Sequence, residues 1–379
     1  MPRPFGIYVH FPWCTHRCPY CDFAVTTEPQ PGERRYARAI LAELALRAPA
    51  FDGLAAASVY LGGGTPSLWD EGEIAEVLSA ARRRFGVRAD AEVTIEANPE
   101  SCDVARLAAW RAAGVNRVSI GVQSFDAGVL AKLGRRHSPQ AAERAVRDAA
   151  REIGNVSVDL IYGARRSTGE IARADAARAA AAGAAHVSAY ALTLDLDVLA
   201  EEVPLARMRR EGRLPLPSED ETRAQGEAIR HALRRAGLRR YEISNFARPG
   251  RESVHNRLYW DGESYLGLGA GAYGCLRGED RSRRYGNLRD ARAYMDAALA
   301  GRLPTAEEDD VGRSADRNER LMLALRTRDG APLSALSPRQ AREASEAVRR
   351  RLAVRRAGRL VLTSRGMDLH SAVSERLFD

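Results

Sequence analysis

The chain has 379 residues, 45% hydrophobic and 28% charged, with a formal net charge of +8. That is too long for one small domain and enough to bury a large core with one appended module. The basic balance points only weakly to an anionic partner: Lys132 is the only lysine, the remaining positive charge is arginine, and the absence of a dense basic tract argues against a nucleic-acid face.

At the N-terminus, Met-Pro-Arg-Pro-Phe-Gly lacks the basic-then-apolar pattern of a secretory leader, and no uninterrupted apolar run in the chain is long enough to span a bilayer. The first predicted strand, Gly6-Ile-Tyr-Val-His-Phe11, runs into Cys14-Thr-His-Arg-Cys18-Pro-Tyr-Cys21. Three thiolates spaced CxxxCxxC on one short loop can hold three irons of a cubane cluster and leave the fourth open to a substrate or cofactor. A structural zinc site closed by His10 or His16 is the competing use of the same residues. An odd group of three cysteines is no disulfide framework, and the thiols imply a reduced, cytoplasmic compartment. Cys102 and Cys275 stand alone and read as small buried hydrophobes.

Five more β-branched runs follow: Ser58-Val-Tyr-Leu61, Val93-Thr-Ile-Glu96, Arg117-Val-Ser-Ile-Gly121, Val156-Ser-Val-Asp-Leu-Ile-Tyr162 and His186-Val-Ser-Ala-Tyr190. Alanine- and arginine-rich stretches of helical period separate them, including 171–185 before the sixth strand. Strand then helix, six times over, predicts an α/β fold of parallel units with right-handed connections, an open barrel or wound sheet. Tyr241-Glu-Ile-Ser-Asn-Phe246 and Leu266-Gly-Leu-Gly-Ala-Gly-Ala-Tyr273 extend it with a strand and a glycine-rich turn. From about Pro304 the texture changes: Glu319-Arg-Leu-Met-Leu-Ala-Leu-Arg326 is helical, and Gly358-Arg-Leu-Val-Leu-Thr363 suggests a hairpin wing before a last helix. The expected division is a core barrel over 1–200, a barrel extension over 201–303 and a small winged-helix-like α+β domain over 304–379. A winged helix invites a DNA-binding reading, but fold alone does not give function, and no basic recognition helix with aromatics stands out.

Four segments end predicted strands on the side where parallel α/β folds bind ligands. Gly62-Gly-Gly-Thr-Pro66 lets backbone approach a ligand closely. In Thr94-Ile-Glu-Ala-Asn-Pro99, Glu96 is either a solvated carboxylate or a ligand contact. Ser119-Ile-Gly-Val-Gln-Ser-Phe125 offers Gln123, and Leu133-Gly-Arg-Arg-His137 offers Arg135 as a partner for a carboxylate. In Val158-Asp-Leu-Ile-Tyr-Gly163, Asp159 lies on a buried strand, which is costly unless it is paired or ligand-bound. Further on, His255-Asn-Arg-Leu-Tyr-Trp260 holds an imidazole that can ligate heme iron, beside Tyr259 and Trp260 that can lie against a flat macrocycle. The same His255 can instead pack and hydrogen-bond within the segment that closes the barrel.

Tyr8-Val-His-Phe-Pro-Trp-Cys14 and Cys18-Pro-Tyr-Cys21-Asp-Phe23, followed in order by the four segments, resemble the radical S-adenosylmethionine (SAM) superfamily. Within it they resemble the branch of oxygen-independent coproporphyrinogen III oxidases and HemW-type heme chaperones. The resemblance implies a partial (β/α)6 TIM-like radical SAM barrel and a [4Fe-4S] cluster on Cys14, Cys18 and Cys21. Its open iron is chelated by SAM, and one electron from the cluster cleaves SAM to methionine and a 5'-deoxyadenosyl radical. The resemblance assigns Tyr8, Gly63, Gly64, Thr65, Glu96, Gln123, Arg135 and Asp159 to SAM, and His255, Tyr259 and Trp260 to heme. One departure is Ala164-Arg-Arg-Ser-Thr168, where the family usually has Leu-Pro-Gly-Gln.

Within the branch, oxidases carry a fourth cysteine two residues past the third, where this chain has Phe23, and an N-terminal extension before the cluster motif, which starts here at Cys14. The run from His255 to Trp260 resembles the HNxxYW motif of the chaperones. The resemblance therefore implies a protein that binds heme and passes it to heme-accepting respiratory proteins, meeting membranes transiently through those partners and binding no nucleic acid. No catalytic residue is implied, and whether the chain is an enzyme stays open. An oxygen-independent coproporphyrinogen III oxidase, decarboxylating porphyrinogen propionates, is the alternative and shares every SAM residue.

Overall fold

The computed structural model describes residues 2–30, 34–195, 199, 202–279 and 281–378. The six apolar runs become β1 (Pro4–Phe11), β2 (Ala55–Gly63), β3 (Glu92–Ala97), β4 (Arg117–Gln123), β5 (Val156–Tyr162) and β6 (His186–Ala191). They pair side by side in chain order, all parallel, so each strand is covered on both faces and reads as a near-continuous apolar run.

Helices α1 (Arg35–Arg47), α2 (Glu71–Phe85), α3 (Val104–Ala113), α4 (Ala127–Lys132), α5 (Pro139–Glu152) and α6 (Gly169–Ala181) connect them. Their starts are set locally: Asp70, Asp103, Asp126, Ser138 and Thr168 each accept a backbone N–H of the first turn. The main core lies between these helices and the sheet, from Phe5, Ile7, Val9 and Phe11 on β1 to Val187 on β6.

The chain continues through α7 (Pro204–Arg210), α8 (Glu219–Arg235), β7 (Arg239–Arg240), β8 (Asn245–Ala247) and α9 (Val254–Trp260). Then β9 (Ser264–Leu268) joins the free edge of β1 in parallel, and the antiparallel strands β10 (Tyr273–Arg277), β11 (Ser282–Asn287) and β12 (Thr305–Val311) follow, with α10 (Ala291–Leu299) between the last two. Among the described residues one open sheet of twelve strands results, in the order β12-β11-β10-β9-β1-β2-β3-β4-β5-β6-β8-β7.

The break expected at 303/304 needs correcting. β12 is an edge of the main sheet, and the separate unit starts with α11 (Arg313–Leu325). That unit adds β13 (Ala331–Pro332), α12 (Pro338–Arg349), β14 (Ala353–Arg356), β15 (Arg359–Leu362), α13 (Ser364–Asp368) and α14 (His370–Leu377). Its three strands form an antiparallel sheet in the order β13-β15-β14 over a core of its own around Leu321, Leu325, Leu360 and Leu377. Among the described residues no helix is long and apolar enough to cross a membrane.

Candidate functional site

The cysteine loop leaves the end of β1 and is clamped at its base. Cys14 N–H donates to Thr26 O at 3.0 Å and Thr26 N–H to Pro12 O at 2.8 Å, while the Trp13 ring stands edge-on to Tyr36 with centroids 4.8 Å apart. The next strand end is held against it: Gly64 N–H donates to Phe11 O at 2.7 Å and Thr65 N–H to Trp13 O at 2.9 Å. A Cβ on Gly64 would sit 2.8 Å from Trp13 O, and Gly63 has φ +114° with His10 2.6 Å from where its Cβ would be. Gly64 is there because two backbones touch, and Gly63 because its φ is left-handed and the His10 ring fills the space a side chain would take.

A cavity of about 490 Å³ opens over these strand ends. Cys14, Cys18 and Cys21 form one wall, and Gly63, Gly64, Thr65, Glu96, Gln123, Arg135 and Asp159 line much of the rest, so eleven residues from seven separate stretches of the chain meet around one space once Asn256 is counted with them. Thr65 donates its hydroxyl to Cys14 Sγ at 3.4 Å, and Arg135 Nη1 lies 3.6 Å from Cys18 Sγ. Burial pushes the Cys14 thiol up and the Cys21 thiol to about 11, so a thiolate here needs a cation beside it.

The acids are spaced by neutral donors. Glu96 accepts Tyr60 O–H at 2.7 Å and Gly63 N–H at 3.0 Å, and burial, with Asp159 nearby, raises its carboxyl to about 7. Asp159 accepts Ser119 O–H at 3.2 Å and is likewise raised, chiefly by burial. Arg135 donates to Gly121 O at 2.8 Å and to Asn98 Oδ1, while its buried Nε has no partner among the described residues. Gln123 adopts φ +67°, a left-handed conformation unusual for a side chain of its size, where β4 breaks register with β5.

Sequence reasoning missed several walls of this space. Tyr60, Asn98, Arg117, Ser188 and Asn256 all line it. Arg117 carried a readable signal, an arginine opening a buried strand, where it is 2% exposed. The altered loop after β5 folds back on α8: Gly163 N–H and Ser167 O–H both donate to Gln225 Oε1 at 2.8 Å.

Two expectations change. Tyr8 does not reach the cavity wall; its ring stacks behind Tyr60 at 6.2 Å, and its hydroxyl meets His10 Nδ1 at 3.0 Å. His255 is 1% exposed, stacked on Tyr60 at 5.0 Å, with Ser58 Oγ 2.8 Å from Nδ1 and Tyr259 OH 2.8 Å from Nε2. Burial lowers its pKa to about 3, so the ring is neutral and both nitrogens are engaged. Each ring nitrogen therefore has a hydroxyl partner here, and Trp260 lies under Arg326, with the guanidinium 4.3 Å from its ring centroid. The segment's contribution to the cavity is Asn256.

The donor set fits an iron-sulfur cluster: three thiols line one side of one space, and a cubane would take one thiolate on each of three irons and leave the fourth without a protein ligand. Of the two histidines that could close a zinc site instead, His10 has its Nε2 2.8 Å from Ala24 O and His16 has its Nε2 3.2 Å from Gly134 O.

The radical SAM superfamily model matches residues 8–174. The fold is similar to that of coproporphyrinogen III oxidase (HemN) from Escherichia coli, a radical SAM enzyme, with TM-score 0.82 and 22% identity over 100% of this chain and 90% of that one. Fold, cysteine loop and family match together define a radical SAM protein. The chain is also 39% identical to the heme chaperone HemW of Mycobacterium tuberculosis (strain CDC 1551 / Oshkosh), covering 99% of this chain and 95% of the relative. It is 31% identical to the heme chaperone HemW of Lactococcus lactis subsp. lactis (strain IL1403), over 99% and 98% of the two chains. The chain belongs to the HemW family.

Proposed function

We propose that this protein is a heme chaperone that holds a [4Fe-4S] cluster on Cys14, Cys18 and Cys21, binds SAM in the adjoining cavity, and passes heme to acceptor proteins. The observation that carries the reading is end-to-end similarity to HemW heme chaperones combined with three thiols on the wall of a cavity lined by Glu96, Gln123, Arg135 and Asp159. Arg135, with an unpartnered buried N–H, is suited to the SAM carboxylate, and the glycine edge at Gly63 and Gly64 with Glu96 to its amino group. When bound, the cluster and SAM supply an electron and a cleavable sulfonium. The residues orient SAM, hold charge opposite its charges and narrow the access of water. Phe23 stands where the oxidases have a fourth cysteine, which favours transfer of heme over oxidation of a porphyrinogen.

The five cysteines are free thiols, consistent with work in a reducing cytoplasm. The acceptors we propose are respiratory heme proteins, met at membranes only through those partners. Iron and sulfide analysis of anaerobically prepared protein tests the cluster. We expect four of each per chain in the wild type, their loss in the triple Cys→Ala variant, and no stoichiometric zinc. Retention of iron and sulfide in that variant contradicts the assignment.

A further inference from the structure

On the outer side of the cysteine loop lies a second cavity, about 620 Å³, within the size range of sites for cofactor-sized ligands. Arg17, Phe23 and Val25 line both cavities, so the loop that carries the cysteines is the partition between them. Four guanidinium groups, of Arg17, Arg35, Arg289 and Arg292, surround the outer space against two carboxylates, of Glu28 and Asp290, and Arg35 is itself ion-paired with Asp296 just beyond the lining. Asp290 is committed to capping α10, accepting Ala293 N–H at 2.8 Å, and Arg292 sits 3.5 Å from Glu28. Arg289 donates to Asp22 O at 3.3 Å, which leaves donors of its planar fork for a ligand. Phe23 is 57% exposed at the rim, an unusual setting for a large apolar ring.

We propose that this outer cavity is the heme site, with the propionates on Arg289 and Arg292 and the macrocycle against Phe23. The proposal rests on the heme-chaperone reading and replaces His255 as the locus of binding. Heme is a flat apolar ring with two carboxylates on one edge. Guanidinium groups recognise carboxylates through paired N–H donors, and an exposed aromatic face covers a macrocycle. This placement puts heme and SAM on opposite sides of one loop.

The test is a Soret titration of anaerobically prepared, cluster-loaded protein with heme, comparing wild type with the double variant Arg289→Glu/Arg292→Glu, whose side chains are exposed. Heme affinity is expected to fall at least about tenfold in the variant, as expected for lost charge-assisted contacts, with the cluster absorption unchanged. Heme dimethyl ester, which lacks the carboxylates, should bind the wild type about as weakly as heme binds the variant. Phe23→Ala should weaken both ligands, which separates the ring contact from the charge contact. Unchanged heme affinity in the double variant, or equal affinity of wild type for heme and its ester, overturns the site alone. A wild type that binds no heme at all overturns the chaperone reading beneath it.

Discussion

Glu96 is the residue whose environment makes the sharpest prediction. Its carboxyl is raised to about 7 in the folded protein, chiefly by burial, against about 4.3 in an unfolded chain. The folded state therefore holds the extra proton between those values, and stability declines as pH rises through that window. The full effect is on the order of 3 kcal/mol. In SAM-free protein, Glu96→Gln should melt higher than wild type near pH 8 and equal to it near pH 4.5 in thermal scans across pH; a constant difference would show that Glu96 is not strained by burial. The same substitution should weaken SAM binding. Arg135→Ala should cost roughly 1.5–3 kcal/mol of SAM affinity, about tenfold or more, by calorimetry. For His255→Ala the expectation is structural: it leaves Ser58 and Tyr259 without a partner and a hole under Tyr60, costing roughly 2–4 kcal/mol in denaturant melts, with heme affinity intact.

Part of the cavity lining was legible residue by residue, because buried acids at strand ends, Glu96 and Asp159, are costly unless they are paired or meet a ligand; Gly63, Gly64, Gln123 and Arg135 were expected there from the family resemblance. Tyr8 and His255 lie outside the cavity lining for a shared reason. Both sit in chemically suggestive motifs, but Tyr8, Tyr60 and His255 stack on one another, and only Tyr60 in that stack reaches the open space. Sequence spacing does not reveal which member of a stack is outermost.

At the scale of elements, the contact between the ends of β1 and β2 sets the shape of the site. Gly64→Ala should push the cysteine loop away, because the new Cβ meets the backbone carbonyls of Phe11 and Trp13. A loss of about 1–3 kcal/mol and poorer cluster retention are expected. Gly169→Ala, at the start of α6 with nothing within 4 Å, is the control and should be neutral or slightly stabilising in the same melts. Equal effects of the two would mean that the contact is not tight. The six parallel strands were readable because burial on both faces demands continuous apolar runs. The edge was not. β12, Thr305-Ala-Glu-Glu-Asp-Asp-Val311, is acidic and mostly exposed, a composition suited to a sheet edge that must resist further pairing, and it reads locally as the start of something else.

For the whole molecule, the small C-terminal unit is fastened to the sheet by buried charge. Arg277 on β10 is 2.8 Å from Asp316 and 2.9 Å from Glu319, both on α11, and Arg277 and Asp316 are almost fully buried. Asp316→Ala should cost about 3 kcal/mol, near the low end for a broken buried pair because Glu319 still faces Arg277. Urea unfolding should then show the C-terminal unit loosening first, and a single unshifted transition would contradict that account.

The central claim, heme delivery by a radical SAM fold, is tested most directly by following heme from the cluster-loaded, heme-charged protein to an apo respiratory heme protein under anaerobic conditions, beside an assay of coproporphyrinogen III with SAM and reductant. We expect heme transfer and no decarboxylation above background. Decarboxylation in proportion to protein, with no heme transfer, would contradict the account and make the chain an oxidase.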